Sequence, residues 1–435
     1  MGININGVQN ARGNYPLYKS TPQKTSDSFK GSYSADIIDF YKPGAARFSG
    51  ALKPVRPIIS FGFSGKEIDG VIYSPKAQAL GAKMLSPQMA KDLIHNCEDK
   101  IAEVETNKAK NPAYNNSRMN VIEAASAMGA NGKAYTACNV DFFSSRWGMP
   151  AGMLASCLAV NGLNNSIKAL AVTNMNHDRK SLQWLANTNA KMHSSRGGKE
   201  LQVVTLLKQP DGKDKVFVQT LDDLKGFVTK DMPASEANTK VEKVPGLHYK
   251  PVPVQVNEIV FSDQAKQVAQ NLEKTKAIDV SEMIKTLAHR SQQEADRIDR
   301  HVFETNGQYE NAPVSHYHFH TAMLADNNKI YTATNSEFFD SGFMADVMCS
   351  ERTAVAKAVN DGAQKAEILF VNNNQNHEDY CCAECLGWLS TARGGVDLLL
   401  PSFIRDEKGN KTDKVIVKTL GEYLTAVHKP SPKKA

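Results

Sequence analysis

Hydrophobic and polar positions along the chain follow two periods. "SPQMAKDLIHNCEDKIAEVE" from Ser86 and "VSEMIKTLAHRSQQEADRIDRHVF" from Val280 space their apolar residues three and four apart, which predicts amphipathic helices. "HYHFHTAMLADNNKIYTATNSE" (316–337) predicts two strands joined by a turn at Asp326-Asn327-Asn328. A helix follows from Cys349 and stops at Gly362, a residue suited to a C-cap. "AEILFV" from Ala366 is a short apolar run of the kind a buried strand uses. A second cysteine-led helix, the run "VDLLLPS" (396–402), and the strand and helix of "KVIVKTLGEYL" (414–424) complete the series. The order predicts an α/β fold in which a mixed sheet carries helices on its faces.

The series occurs twice. "GKAYTACNVDFF" (132–143) echoes "NKIYTATNSEFF" (328–339), and "ALAVTNMNHD" (169–178) echoes "ILFVNNNQNHE" (368–378). "SSRGG" (194–198) echoes "TARGG" (391–395), and "GKDKVFVQTLDDLKGF" near 212 echoes "KTDKVIVKTLGEYLTAV" near 411. Four matches in one order predict a duplication. The expected domains are 51–230 and 259–428, joined by a Pro-, Glu- and Lys-rich linker at 231–258. Residues 1–50 are polar and expected to be poorly ordered, and "VRPIISFGFSGKEIDGVIYS" (55–74) predicts one or two strands added to the first domain.

Composition narrows the function classes. The 435 residues are 41% hydrophobic and 23% charged, with a net charge of +6 spread along the chain. That is the balance of a soluble globular protein without a nucleic-acid footprint, so nucleic-acid partners are not expected. No run of 18 apolar residues predicts a membrane span, and the start lacks the apolar core of a signal peptide. Gly2 is followed by Asn6 where myristoylation would need Ser or Thr. Seven cysteines without an export signal predict a reduced, cytoplasmic setting. Four of them fall between Cys349 and Cys385, whereas Cys97, Cys138 and Cys157 read as small buried hydrophobes.

Cys349, Glu351, Cys382 and Cys385 form C-x-E followed by C-x-x-C. The C-x-x-C alone fits a redox pair or half of a structural zinc site. The single partner cysteine with a glutamate two residues on favours a catalytic zinc instead, with three protein ligands and a fourth position for water. Cys349 and Cys382 each begin a predicted helix, where unpaired N–H groups favour thiolate. Glu351 is placed to shuttle a proton, and Arg352 to offset the thiolate charge.

With these residues the second half resembles the cytidine deaminase family, in the branch with three cysteine ligands. "CSERTAVAKAVNDG" resembles the family's C-A-E-R-T-A helix, and "CCAEC" its P-C-x-x-C. "TATNSEFF" resembles its G-C-N-[VI]-E stretch, and "HYHFHTAML" loosely its F-P-V-G-A-A strand. The resemblance covers about 280–425, with a weaker image at about 85–225. It implies two tandem cytidine-deaminase-like α/β/α domains with mixed sheets and zinc held by Cys349, Cys382 and Cys385. It also implies proton transfer by Glu351 on a nucleoside, with the ribose hydroxyl held by Asn335 and Glu337, and a homodimer of four domains. Cys381 and Leu386 depart from the family pattern, as do His318 and His320 in the strand taken as substrate-side. Fourteen positions separate Asn335 from Cys349, against eleven between Asn139 and Pro150.

In the first half, Pro150, Gly152 and Met153 stand in the places of Cys349, Glu351 and Arg352, and "HDRKSLQWLANTN" has no cysteine. That half is expected neither to bind zinc nor to catalyse, though it keeps Asn139 and Asp141. Simpler roles are expected for several other residues. Cys381 reads as a packed bystander, His177 and His377 as structural, the RGG triplets as turns, and Trp147 and Trp184 as core or interface. His316, His318 and His320 share one strand face, at a solvent or pocket edge. Deamination of another amino-heterocycle or of a polynucleotide base, or a non-catalytic effector reusing the fold, are the competing readings.

Overall fold

The computed structural model describes residues 65–224 and 254–427, apart from stretches at 112–113, 115–121, 141–147, 165, 176–177, 187–199, 209–213, 306–308, 310, 313–316, 339–346 and 374–380. The polar segment 1–50, most of the linker, Asp141, Trp147, His177, His316, His377 and the first RGG triplet lie outside the described residues.

The first half builds a seven-stranded sheet. Its strands are β1 (Lys66–Ile68), β2 (Val71–Tyr73), β3 (Ala124–Gly129), β4 (Ala134–Cys138), β5 (Ile167–Val172), β6 (Gln202–Lys208) and β7 (Asp214–Thr220), in the order β1-β2-β7-β6-β5-β3-β4. Where one or two strands are expected at 55–74, the described residues from Gly65 form the hairpin β1–β2, turned at Asp69 and Gly70, whose φ values of 47° and 77° give the left-handed turn a tight hairpin needs. The second half builds a six-stranded sheet. Here β8 (Glu258–Phe261), β9 (His320–Ala325), β10 (Ile330–Thr334), β13 (Ala366–Asn372), β14 (Leu399–Arg405) and β15 (Lys411–Thr419) run in the order β10-β9-β13-β14-β15-β8. The two orders superimpose strand for strand from β4 to β2 and from β10 to β8. The senses agree as well. β5–β6 and β13–β14 are parallel, as are β2–β7 and β8–β15, and the other adjacent pairs within those spans are antiparallel. Both β3–β5 and β9–β13 slip register, near Met128/Gly129 and near Ala366/Ile368. A short separate ribbon pairs β11 (Ser336–Glu337) with β12 (Val347–Met348).

Helices cover both faces of the sheets. In the first half these are α1 (Pro75–Ala79), α2 (Pro87–Lys110), α3 (Ala151–Asn161) and α4 (Arg179–Ala186). In the second they are α5 (Asp263–Lys276), α6 (Val280–Glu304), α7 (Ser350–Asn360), α8 (Ala383–Trp388) and α9 (Leu420–Val427). The two long helices start where the sequence provides caps. Ser86 accepts from the Met89 amide with Pro87 in the first turn, and Asp279 accepts from the Glu282 amide. α2 packs on β3, β4 and β5, and α6 on β9, β10 and β13. α3 and α7 are buried almost all round, as helices wedged between layers must be, and they touch each other.

The halves share one core, which includes Leu154 and Val160 together with Ala333, Phe338 and Val359. Their junction is also hydrogen-bonded reciprocally. Tyr114 Oη donates to Val359 O at 2.6 Å, and Tyr309 Oη donates to Val160 O at 2.9 Å. Asn360, the last residue of α7, accepts from Cys138 N at 2.6 Å and donates to Cys138 O at 3.1 Å. Asn161, the last residue of α3, does the same to Thr334, at 2.7 and 3.2 Å. No helix among the described residues is long and apolar enough to cross a membrane.

Candidate metal and catalytic site

The β11–β12 ribbon delivers the chain to Cys349, which is the N-cap of α7, and Cys382 is the N-cap of α8. Both thiols therefore sit at helix N-termini, as expected. The Sγ atoms of Cys349, Cys382 and Cys385 lie within 4.8 Å of one another, and no other such ligand cluster occurs among the described residues. Cys349 and Cys382 are 3.9 Å apart, too far for a disulfide. That spacing matches the edge of a tetrahedral thiolate shell, about 3.8 Å for metal–sulfur bonds of about 2.3 Å. Hydrogen bonds from Cys349 and Cys385 hold the Cys382 thiol below its ordinary pKa. Arg352 donates to Cys349 Sγ at 3.5 Å. The three donors suit a soft, thiophilic divalent cation and supply three of the four ligands of a tetrahedral shell.

Glu351 lies in the first turn of α7 and is buried. Burial, and next the charge of Cys349, raise its carboxyl to about 7. Ser350 Oγ donates to Glu351 Oε2 at 3.1 Å, and Thr321 Oγ1 on β9 donates to Ser350 Oγ at 2.8 Å. This chain of three buried side chains fixes the carboxylate's orientation. Neither Ser350 nor Thr321 stood out in the sequence, although the serine inside C-S-E was the available sign. Cys381 is buried with its thiol pKa raised by that burial and next by the charge of Glu351. It is thus a neighbour of the carboxylate rather than remote packing.

Asn335 and Glu337 flank Ser336 on the approach to the ribbon, and both are buried. Asn335 Oδ1 accepts from Phe319 N at 3.0 Å and from Asn311 Nδ2 at 3.1 Å, while its Nδ2 donates to Tyr317 O at 2.8 Å. In the first half Asn139 Oδ1 accepts from Glu123 N at 2.9 Å, so this part of the motif has a backbone task in both halves. Glu337 N donates to Asn311 O at 2.9 Å. His318 and His320 do not face the thiols. On β9, Thr321 bonds to α7, whereas His318 Nδ1 lies 2.7 Å and His320 Nε2 3.9 Å from Asp299 Oδ1 on α6, across the sheet.

The first half fills the corresponding place with its own side chains. Pro150 caps α3, and Gly152 N donates to the buried Asp178 Oδ1 at 2.6 Å. A Cβ on Gly152 would lie 2.7 Å from that oxygen. Aligning His177 with His377 puts Leu182 and Leu185 in the places of Cys382 and Cys385, and both leucines are buried.

No family model matches the chain, and no curated protein sequence matches it significantly. Among solved structures, the chain is similar to cytidine deaminases from three bacteria. The Mycobacterium leprae protein is 18% identical over 26% of this chain and 84% of its own, with a TM-score of 0.21. The Burkholderia pseudomallei protein is 20% identical over 26% and 81%, and the Mycobacterium tuberculosis protein 19% identical over 27% and 84%, each with a TM-score of 0.21. Overlap on that scale does not bear on the reaction.

Proposed function

We propose that the second half is a zinc-dependent hydrolytic deaminase of cytidine, deoxycytidine or a related amino-pyrimidine nucleoside, releasing ammonia. The observation that carries this reading is the buried carboxylate of Glu351, held two residues from one of three converged thiols. A structural zinc site has no use for such a group. Cys349, Cys382 and Cys385 would hold the zinc, which when bound supplies the Lewis acidity that activates water. Glu351, tuned near neutrality, moves one proton from the attacking water to the ring nitrogen, and a second from the hydroxyl so formed on the ring carbon to the amine, which departs as ammonia. Ser350 keeps one carboxylate oxygen aimed, and Arg352 offsets the thiolate charge. Glu337 would hold a ribose hydroxyl, with Asn335 offering its second amide hydrogen. The shared strand order is what a tandem duplication produces. The first half, whose site is plugged by Asp178, Leu182 and Leu185, would support assembly within a homodimer. Reduced cysteines fit a cytoplasmic setting.

The test is loss of the cytosine absorbance band on cytidine and deoxycytidine, with zinc measured on wild type and Glu351→Ala. The reading expects one zinc per chain on both proteins and a rate about 10²–10⁴-fold lower in the variant. Zinc without wild-type turnover on these or other amino-heterocycles would refute it. A strict monomer by light scattering would remove the dimer.

A further inference from the structure

We propose that Asn161, in the half without metal ligands, is a positioning residue of the site in the other half. Its carboxamide acts as a one-residue strand partner at the end of β10, accepting from Thr334 N and donating to Thr334 O. The next residues are Asn335, Ser336 and Glu337, and Ser336 pairs with Met348, directly before Cys349. One buried amide from the first half therefore fixes the piece of backbone that leads both to the sugar-side residues and to the first thiol.

The pseudo-equivalent Asn360 shows why this is more than a generic junction. Asn360 grips Cys138 with the same two bonds, in the half whose site is plugged. Asn161 makes a further bond, from Nδ2 to Ser336 Oγ at 3.1 Å. The position matching Ser336 in the first half is Val140, which bridges to Met149 but has no side-chain hydroxyl to offer. The added contact thus exists only where the ribbon serves a site. Asn311 completes the clamp from the second half, donating to Thr334 Oγ1 at 3.2 Å and to Asn335 O at 3.1 Å. Freed from Asn161, β11 would lose its anchor to the first half, and Glu337 would move relative to Cys349.

This inference rests on the deaminase reading for its kinetic part, and the test separates the two. Asn161→Ala and the matched control Asn360→Ala are compared with wild type by hydrogen exchange of amides 334–337, by zinc content and by steady-state kinetics on cytidine. Asn161→Ala should speed exchange at 334–337 and raise KM about tenfold while changing kcat less. Asn360→Ala should lower the melting temperature comparably but leave KM and exchange at 334–337 unchanged. If Asn161→Ala does not fold, Asn161→Asp keeps the acceptor for Thr334 N and loses the Nδ2 donations to Thr334 O, Ser336 Oγ and Cys157 O, and the same readouts apply. Unchanged exchange at 334–337, or equal KM shifts in the two variants, would overturn the proposal. An inactive wild type would sink the deaminase reading, and exchange at 334–337 would then decide the positioning role alone.

Discussion

His320 opens β9 fully buried, with neither ring nitrogen hydrogen-bonded. Burial, above all, lowers its pKa from 6.5 to about 4. Asp299 and Glu294 on α6 oppose that shift, while His318, two residues before β9, and Lys411 on β15 reinforce it. In the unfolded chain the imidazole titrates near its ordinary value of about 6.5. Between the two values the unfolded state binds the proton and the folded state does not, so stability is greatest above pH 6.5 and falls as the pH drops towards 4. The loss is about 2 kcal/mol at pH 5 and approaches about 3 kcal/mol below pH 4, at about 1.4 kcal/mol per unit. The assay is urea unfolding at half-unit steps from pH 7 to 4.5, on wild type and His320→Leu. The variant's stability should fall less steeply with acid, so that the difference between the two proteins changes by about 2 kcal/mol between pH 7 and pH 5. Other acid-titrating groups are common to both and cancel in that difference. Parallel curves would show that His320 is not held neutral by its surroundings, and the reasoning would fail.

Three further outcomes follow from the geometry. Cys382→Ser removes one of the three converged thiols and should abolish stoichiometric zinc in the purified protein, read by metal analysis. Gly152→Ala forces a methyl against Asp178 Oδ1 and should cost about 1–3 kcal/mol in urea unfolding, with no gain of metal binding. Tyr114→Phe and Tyr309→Phe each delete one buried bond across the junction and should each cost about 1–2 kcal/mol, with similar values for the two because their settings repeat.

The parts of the molecule that were legible in the sequence are those with local causes. The thiols at Cys349 and Cys382 follow from helix starts, and Cys385 from a three-residue spacing within one turn. The alternation leading into β9 put His318 and His320 on one face, where both lie near Asp299. Which face that was depended on how α6 and α7 pack, and the strand parity carries no information about it. The solvent or pocket edge expected for these two histidines is instead a buried contact with Asp299 on α6. The end of the expected linker also acquired structure only through tertiary packing, since Val254 and Val256 lie against the second core and β8 starts at Glu258. Thr321 and Ser350 meet because β9 passes beneath the first turn of α7, and Asn161 meets Thr334 across 173 positions. Contacts of that range leave no periodic mark.

The core that runs through both halves has a calorimetric consequence. Leu154 and Val160 lose their packing when Ala333 and Val359 do, so heating should produce one endotherm whose van't Hoff and calorimetric enthalpies agree. A chain built this way cannot shed its half without metal ligands. Destabilising changes anywhere in residues 65–224 would draw on the same margin that keeps Cys349 and Glu351 folded, so selection on the proposed reaction would extend over sequence that takes no part in it.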